Sequence, residues 1–140
     1  MNIIVRKDIN TFLKKTIIPQ FREKGFTGSF PHLRRIIETS IDLITFQFDR
    51  YGGGFVIELA KAKNEVFKTH WGEEIPQSKL TAHDLNERTR IHTKGILQDS
   101  ATENWFRYDK GSLFSNPLKQ IQNDIEKNMS VIEKFFNPRM

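Results

Sequence analysis

The chain contains no cysteine, which excludes disulfide scaffolds, thiolate zinc sites and cysteine nucleophiles. A cysteine-free sequence also fits a reducing compartment. No apolar run reaches the about 20 residues that cross a membrane, or the about 7–15 residues of a secretory leader. We therefore expect a soluble, cytoplasmic protein that does not associate with a membrane.

Sequence signatures of chemistry are missing as well. The glycines at 52–54 lack the lysine and hydroxyl residue of a phosphate-binding loop, and no Gly-x-Ser-x-Gly elbow occurs. The four histidines include no i, i+4 pair, and a solvated loop explains His70, Glu73 and Glu74 better than a metal site does. We expect no catalytic activity, no cofactor and no metal.

Length and composition predict one globular domain, residues 1–140. Hydrophobic residues make up 37% and charged residues 28% of the chain, which is typical of a folded protein. Domains cluster near about 100–150 residues, so this length leaves no need for a second unit.

A first amphipathic helix is predicted over residues 8–24. Asp8 is the expected N-cap, Pro19 predicts a kink or a weakened last turn, and Gly25 ends the helix. Its apolar face is formed by Ile9, Phe12, Leu13 and Ile17.

Antiparallel strands are predicted between residues 30 and 62. Apolar and polar residues alternate over 44–48 and 55–59, and a glycine-containing hairpin joins the two runs. A weaker strand is expected over about 33–37, with Ser40 and Asp42 marking the turn that follows it.

A long C-terminal helix is predicted to begin at the cap Asn116, with Pro117 in its first position and Pro138 near its end. Its apolar stripe contains Leu118, Ile121, Ile125, Met129, Ile132 and Phe136. Two amphipathic helices and one alternating sheet predict an α+β fold. We expect a two-layer sandwich in which the antiparallel meander packs against both helices.

Positive charge is concentrated near the N-terminus, where the first 35 residues contain eight basic and two acidic side chains. Basic residues on one helix face could contact the phosphates of a nucleic acid, although a solvated face has the same pattern. The residues that carry this alternative are Lys7, Lys14, Lys15 and Arg22.

A second group of side chains has the composition of a protein-binding surface. If 88–92 is a strand, its two arginines and its histidine share one face, and an aromatic segment follows. Arginine, tryptophan and tyrosine are enriched at binding hot spots. The predicted surface patch comprises Arg88, Arg90, His92, Trp105, Arg107 and Tyr108. Alternatively, the aromatic rings cap the core and the arginines bind carboxylates.

Several segments resemble the bacterial family catalogued as domain of unknown function 4304. They are Leu13-Lys14-Lys15, Gly25-Phe26, the strands 44–48 and 55–59, Arg88-Thr89-Arg90-Ile91 and Trp105-Phe106. The similarity extends from about Phe12 to Trp105, and the chain departs from the family pattern over 66–87. This resemblance implies the fold and a bacterial setting, and it implies no activity.

Three functions remain open at this stage. The first is a small module of adaptor or immunity type that binds a protein partner. The second is weak nucleic-acid binding through the first helix. The third is an enzyme of unknown reaction with a site between the sheet and residues 64–116.

Overall fold

The structure, a computed structural model, describes residues 3–96, 102–110 and 116–139. The helices are α1 (Arg6–Thr16), α2 (Ile18–Glu23), α3 (Pro117–Lys127) and α4 (Met129–Phe136). The strands are β1 (His32–Ile36), β2 (Ser40–Phe48), β3 (Gly54–Lys63), β4 (Phe67–Lys68), β5 (Glu74–Ile75), β6 (Thr89–His92), β7 (Gly95–Ile96) and β8 (Phe106–Arg107).

The main sheet is antiparallel and has the order β1-β2-β3-β6-β7, with β8 paired to the start of β3. Strands β1, β2 and β3 form the predicted meander, whereas β4 and β5 form a separate small hairpin. The turn between β2 and β3 uses Gly52 at φ 88° and Gly53 at φ 87°, which residues with a Cβ rarely adopt.

The first helix is interrupted where proline predicts a kink. Helix α1 ends at Thr16 and α2 begins at Ile18, so Pro19 lies in the first turn of α2. Backbone N–H groups in a first turn have no intrahelical acceptor, so the missing N–H of proline costs no hydrogen bond there. The prediction of Asp8 as N-cap is wrong: Val5 is the N-cap, and Asp8 lies one turn later. There its carboxylate accepts a hydrogen bond of 3.0 Å from the Val5 backbone N–H.

The start of the C-terminal helix is as predicted. The Asn116 side chain accepts hydrogen bonds from the backbone N–H groups of Leu118 and Lys119, and Pro117 follows it. The long helix is divided into α3 and α4 at Asn128, whose side-chain amide donates to the carbonyls of His92 and Thr93. The Asn128 side chain thus joins the break between α3 and α4 to the end of β6 by hydrogen bonds.

The predicted two-layer α+β sandwich is confirmed. The helix-facing side of the sheet contributes Ile44, Phe46, Ile57 and Leu59 to one core, which also contains the buried residues of the helices, among them Ile125. The turn predicted at Ser40 and Asp42 is wrong, because both residues lie in β2 and pair with β3. Strand β2 begins at Ser40, four residues before the predicted alternating run.

The segment between β3 and β6 covers part of the other side of the sheet, which we call the distal face. A small second core forms there from Ile41, Leu43, Ala60, Leu80 and Ala82. A short 3₁₀ turn at Ala82–Asp84 packs over this core and carries His83 above the sheet. In the described part of the chain, no helix has the length and apolar character required to span a membrane.

Candidate functional site

A row of polar side chains crosses four strands of the distal face. The strand register places His32 opposite Thr45, Thr45 opposite Glu58, and Glu58 opposite Arg90. Each belongs to a strand position that alternates with a residue of the helix-facing core, which explains why all four point away from the helices. The row is the polar part of a face that is elsewhere covered by apolar side chains.

Glu58 is the centre of this row and the side chain that organises it. It is buried, and its carboxylate lies 3.2 Å from His83 Nε2, 3.3 Å from Arg88 Nε and 3.6 Å from Arg90 Nε. Arg88 also donates a hydrogen bond of 3.2 Å to the His83 carbonyl. A buried carboxylate requires such cationic partners, because its desolvation is costly. Glu58 therefore gathers two arginines and a histidine at one point.

Arg90 and Trp105 lie beside each other at the edge of this cluster. The Arg90 guanidinium carbon is 5.5 Å from the centre of the Trp105 ring, within the range of a cation–π contact. The Arg90 side chain is 38% exposed and makes no hydrogen bond to any described residue. The indole N–H of Trp105 is buried and also lacks a hydrogen-bond partner among the described residues. In the part of the chain that the structure describes, two neighbouring side chains thus have donors that enter no hydrogen bond.

The structure does not assemble the whole predicted patch. Arg88, Arg90 and Trp105 are brought together, but Trp105 is only 7% exposed and His92 is fully buried. Tyr108 is 4% exposed and belongs to the helix-facing core, where its hydroxyl accepts a hydrogen bond from the Gly53 N–H. The predicted surface patch of Arg90, Trp105 and Tyr108 is therefore wrong, because Tyr108, the residue after β8, packs in the helix-facing core on the opposite side of the sheet from Arg90.

Arg107 is engaged in fastening the glycine hairpin. Its guanidinium lies 2.6 Å from Asp109 Oδ2 and 3.4 Å from Asp49 Oδ2, and it donates to the Gly52 carbonyl. The hydrogen bond to Asp109 raises the pKa of Arg107, and the same contact lowers the pKa of Asp109. With its donors committed to two carboxylates, Arg107 holds the loop to β8 and is not available to a ligand.

The histidines of the distal face form a second small group. His32 Nδ1 is 2.8 Å from the Thr45 hydroxyl, and the rings of His32 and His83 meet edge to face with centroids 5.5 Å apart. Burial lowers the pKa of His32, and the nearby His83 and Arg34 lower it further. A Glu–His pair beside a hydroxyl has the composition of a hydrolytic site. However, Thr45 is fully buried, so its hydroxyl cannot reach a substrate.

The lowered pKa of His32 predicts an acid-side loss of stability. A histidine whose folded-state pKa lies below the unfolded value of 6.5 contributes stability above that value, and the contribution is lost as the pH falls. His32→Gln is expected to reduce the drop in melting temperature between neutral and mildly acidic pH, measured by circular dichroism. His70→Gln, on the exposed loop, is the matched control and should follow the wild type. An equal drop in the His32 variant would contradict the expectation.

The basic residues of the first helix lie away from this cluster. Lys7, Lys14 and Lys15 are exposed on α1. Arg22, in α2, donates to the carbonyls of Phe26 and Gly28 and so closes the turn after the helix. Within the described residues, no ion pair involves any of the four.

Potential metal ligands in the ranges 3–96, 102–110 and 116–139 do not form clusters of three or more. No group of three histidine, aspartate or glutamate side chains there is arranged to hold a metal ion. His70 packs edge to face against Trp71, and Glu73 accepts a hydrogen bond from the Trp71 indole N–H. His70 and Glu73 therefore both contact Trp71 and stabilise the loop between β4 and β5.

The sequence analysis missed the residues at the centre of the site, namely His32, Thr45, Glu58 and His83. Alternation in β3 already marked Glu58 as a residue of the side opposite the core, and this was the one local signal. The two histidines of the site lie 26 residues before Glu58 and 25 residues after it in the chain. Only strand pairing and the packing of the 3₁₀ turn bring them to it.

Comparison with known proteins gives a family without a named activity. No curated protein and no solved structure matches the chain significantly. The model of one protein family matches residues 17–137, which include the whole sheet, the Glu58 cluster and both C-terminal helices. The chain thus belongs to the family described as domain of unknown function 4304 (DUF4304).

Proposed function

We propose that this chain is a protein-binding module, of adaptor or immunity type, whose distal face binds an acidic segment of its partner. One observation carries the proposal: Arg90 is more than one-third exposed, stacks beside Trp105 and uses none of its donors in a hydrogen bond to a described residue. A guanidinium has five N–H donors in a planar fork that matches a carboxylate.

The charge of the cluster favours an anionic partner. Arg88 and Arg90 share the single carboxylate of Glu58, and neither forms an ion pair with any other described residue, so two positive charges face one negative charge there. Arg34 lies on the same face, where its Nε donates to the Leu80 carbonyl. A carboxylate approaching Arg90 would therefore meet a positive field and unused donors together.

Burial of Glu58 keeps the arginines in place before any partner arrives. Long side chains lose conformational entropy when a partner immobilises them, at a cost of about 0.5–1.5 kcal/mol each. Contacts of Arg88 with both Glu58 and the His83 carbonyl, and of Arg90 with both Glu58 and the Trp105 ring, reduce that cost. Such preorganised arginines beside an aromatic ring are typical of binding hot spots.

Replacement of Arg90 is expected to weaken partner binding while leaving the fold intact. Wild-type protein immobilised as bait should retain a stoichiometric protein from a bacterial lysate. Arg90→Ala should weaken the affinity for that purified protein by more than about 1 kcal/mol, measured by calorimetry. Arg90→Lys should also bind less tightly, because lysine keeps the charge but loses the fork and the stacking.

Arg50→Ala is the matched control, since Arg50 is an exposed arginine outside the Glu58 cluster. Circular dichroism must show the same fold for all variants. Retention of the same proteins by wild type and Arg90→Ala with equal affinity would refute the proposal. A bacterial, cytoplasmic setting is part of the same proposal, and the cysteine-free composition fits the reducing compartment that it requires.

A further inference from the structure

A second concave site lies on the helical side of the protein, built from α1, α2 and the turn before β1. It is an open cleft of about 540 Å³. Its lining residues are Lys14, Ile18, Pro19, Arg22, Ser29 and Phe30. None of them is acidic, and they combine an apolar floor with two cations and one hydroxyl. Ligand sites in proteins have volumes of about 300–1,000 Å³, so the cleft can hold a nucleoside-sized group.

Phe30 is the aromatic residue that lines this cleft, and its ring packs against the helix-facing core. Its ring lies 5.3 Å from the ring of Phe46 and 6.2 Å from that of Phe48, both of which are buried in the helix-facing core. From the cleft, Lys14 Nζ lies 5.8 Å from the Phe30 ring centre. The ring is thus fixed by the core on one side and has a flexible lysine side chain near it on the cleft side.

Cationic side chains extend beyond the cleft along α1. Lys14 and Arg22 border the cleft, and Lys7 and Lys15 are exposed on the same helix as Lys14. Because none of these four forms an ion pair with a described residue, their charge is available to an anion. A ligand that uses all of them must carry several negative charges spaced along its length.

We propose that this cleft binds single-stranded nucleic acid, with one base stacked on Phe30 and the flanking phosphates on Lys14 and Arg22. Sequence-tolerant single-strand sites combine a positively charged path for the backbone with an aromatic ring on which a base stacks. Lys7 and Lys15 lengthen the path to neighbouring phosphates. A duplex keeps its bases paired and stacked, so it cannot place one against Phe30. The site is separate from the distal face and from its proposed protein partner.

Fluorescence anisotropy with a labelled oligothymidylate of about ten nucleotides tests the proposal. Binding is expected at about 50 mM salt and should weaken steeply at about 200 mM, because phosphate contacts release counterions. Phe30→Leu should weaken binding about fivefold or more through loss of stacking. Lys14→Glu should weaken it about tenfold. Lys127→Glu, an exposed charge reversal on α3, should change it less than about twofold.

A duplex and adenosine monophosphate are the two further ligands that distinguish base stacking on Phe30 from non-specific electrostatic binding. A duplex of equal length should bind more weakly than the single strand and should not respond to Phe30→Leu. Equal affinities for the two, or a Phe30→Leu variant that binds the single strand normally, would overturn the proposal. Binding of adenosine monophosphate without binding of the oligonucleotide would also overturn it. Lys14→Glu does not alter the core, so its result stands even where Phe30→Leu proves unstable.

Discussion

Ile125→Ala is expected to lower the free energy of unfolding by about 2–5 kcal/mol. Ile125 lies in the last turn of α3, is completely buried and belongs to the core that joins the helices to the sheet. Truncation to alanine removes apolar contacts and leaves a cavity, because a close-packed interior relaxes only in part. Urea denaturation followed by far-ultraviolet circular dichroism gives the measurement.

Lys127→Ala is the matched control for this experiment. Lys127 is exposed on the same helix, two positions from Ile125, and surface replacements usually change stability by less than about 0.5 kcal/mol. A control that is as destabilised as Ile125→Ala would show that the loss is not specific to the buried position, because alanine is a better helix former than either residue it replaces. An Ile125→Ala variant with the stability of the wild type would show that α3 does not complete the core.

Arg35→Met is expected to cost about 3–5 kcal/mol, because it leaves a buried carboxylate without its cation. Asp42 is only 1% exposed, and its Oδ2 lies 2.9 Å from Arg35 Nη2. Arg35 also reaches Glu133 at 3.1 Å and stacks over Phe26 at 4.4 Å, so it links β1 to α4. Chemical denaturation of the variant and the wild type at neutral pH measures the difference.

The pH dependence of the free energy of unfolding distinguishes the loss of the Arg35–Asp42 ion pair from the loss of packing. Burial raises the pKa of Asp42 above its usual value of 3.8, although the hydrogen bond and charge of Arg35 oppose the rise. An acid with a raised folded-state pKa favours folding most when protonated, and that contribution is lost as the pH rises through the folded-state pKa. Removal of Arg35 raises this pKa further, so the deficit of the variant should shrink towards about pH 4.

A double variant completes the test. Arg35→Met combined with Asp42→Leu replaces both charges by apolar side chains and should recover most of the lost stability, as replacements of buried ion pairs often do. A deficit that is the same at acidic and neutral pH, and that persists in the double variant, would contradict the assignment. The cause would then be the lost contacts of Arg35 with Phe26 and Glu133.

The two proposed binding surfaces can be tested independently on one set of proteins. Arg90→Ala changes the distal face and should leave oligonucleotide binding unaltered, whereas Phe30→Leu changes the cleft and should leave the protein partner bound. Reciprocal effects of this kind would assign each ligand to its own surface. Loss of both activities in a single folded variant would show that one surface serves both ligands.

Features that depend on near neighbours in the chain were predictable. Periodicity gave the amphipathic helices, Asn116-Pro117 gave the start of α3, and alternation gave the faces of β2 and β3. Asp8 failed as a cap because the chain enters α1 earlier, at Val5, and a carboxylate in the first turn can serve the same backbone donors from inside the helix.

Residues 64–88 were beyond sequence analysis because they contain only short elements with little periodicity. They comprise the two-residue strands β4 and β5 and 3₁₀ turns of three residues, and they pack Phe67, Ile75, Leu80 and Ala82 against the distal face. This packing covers Leu43 and Ala60, and it brings His83 over Glu58. Burial of Glu58 therefore depends on a segment whose own sequence does not predict its position.

The sequence by itself determined the amphipathic helices, the family and the facing of residues 44–48 and 55–59, because these depend on the chemistry of adjacent residues and on the fixed periods of helix and strand. Tertiary structure alone decided which polar residues meet. Register aligned His32, Thr45, Glu58 and Arg90, and packing against the helices placed Tyr108 in the core. The reason is that strand pairing and side-chain burial are set by the packing of distant segments, whose free energy no local pattern contains.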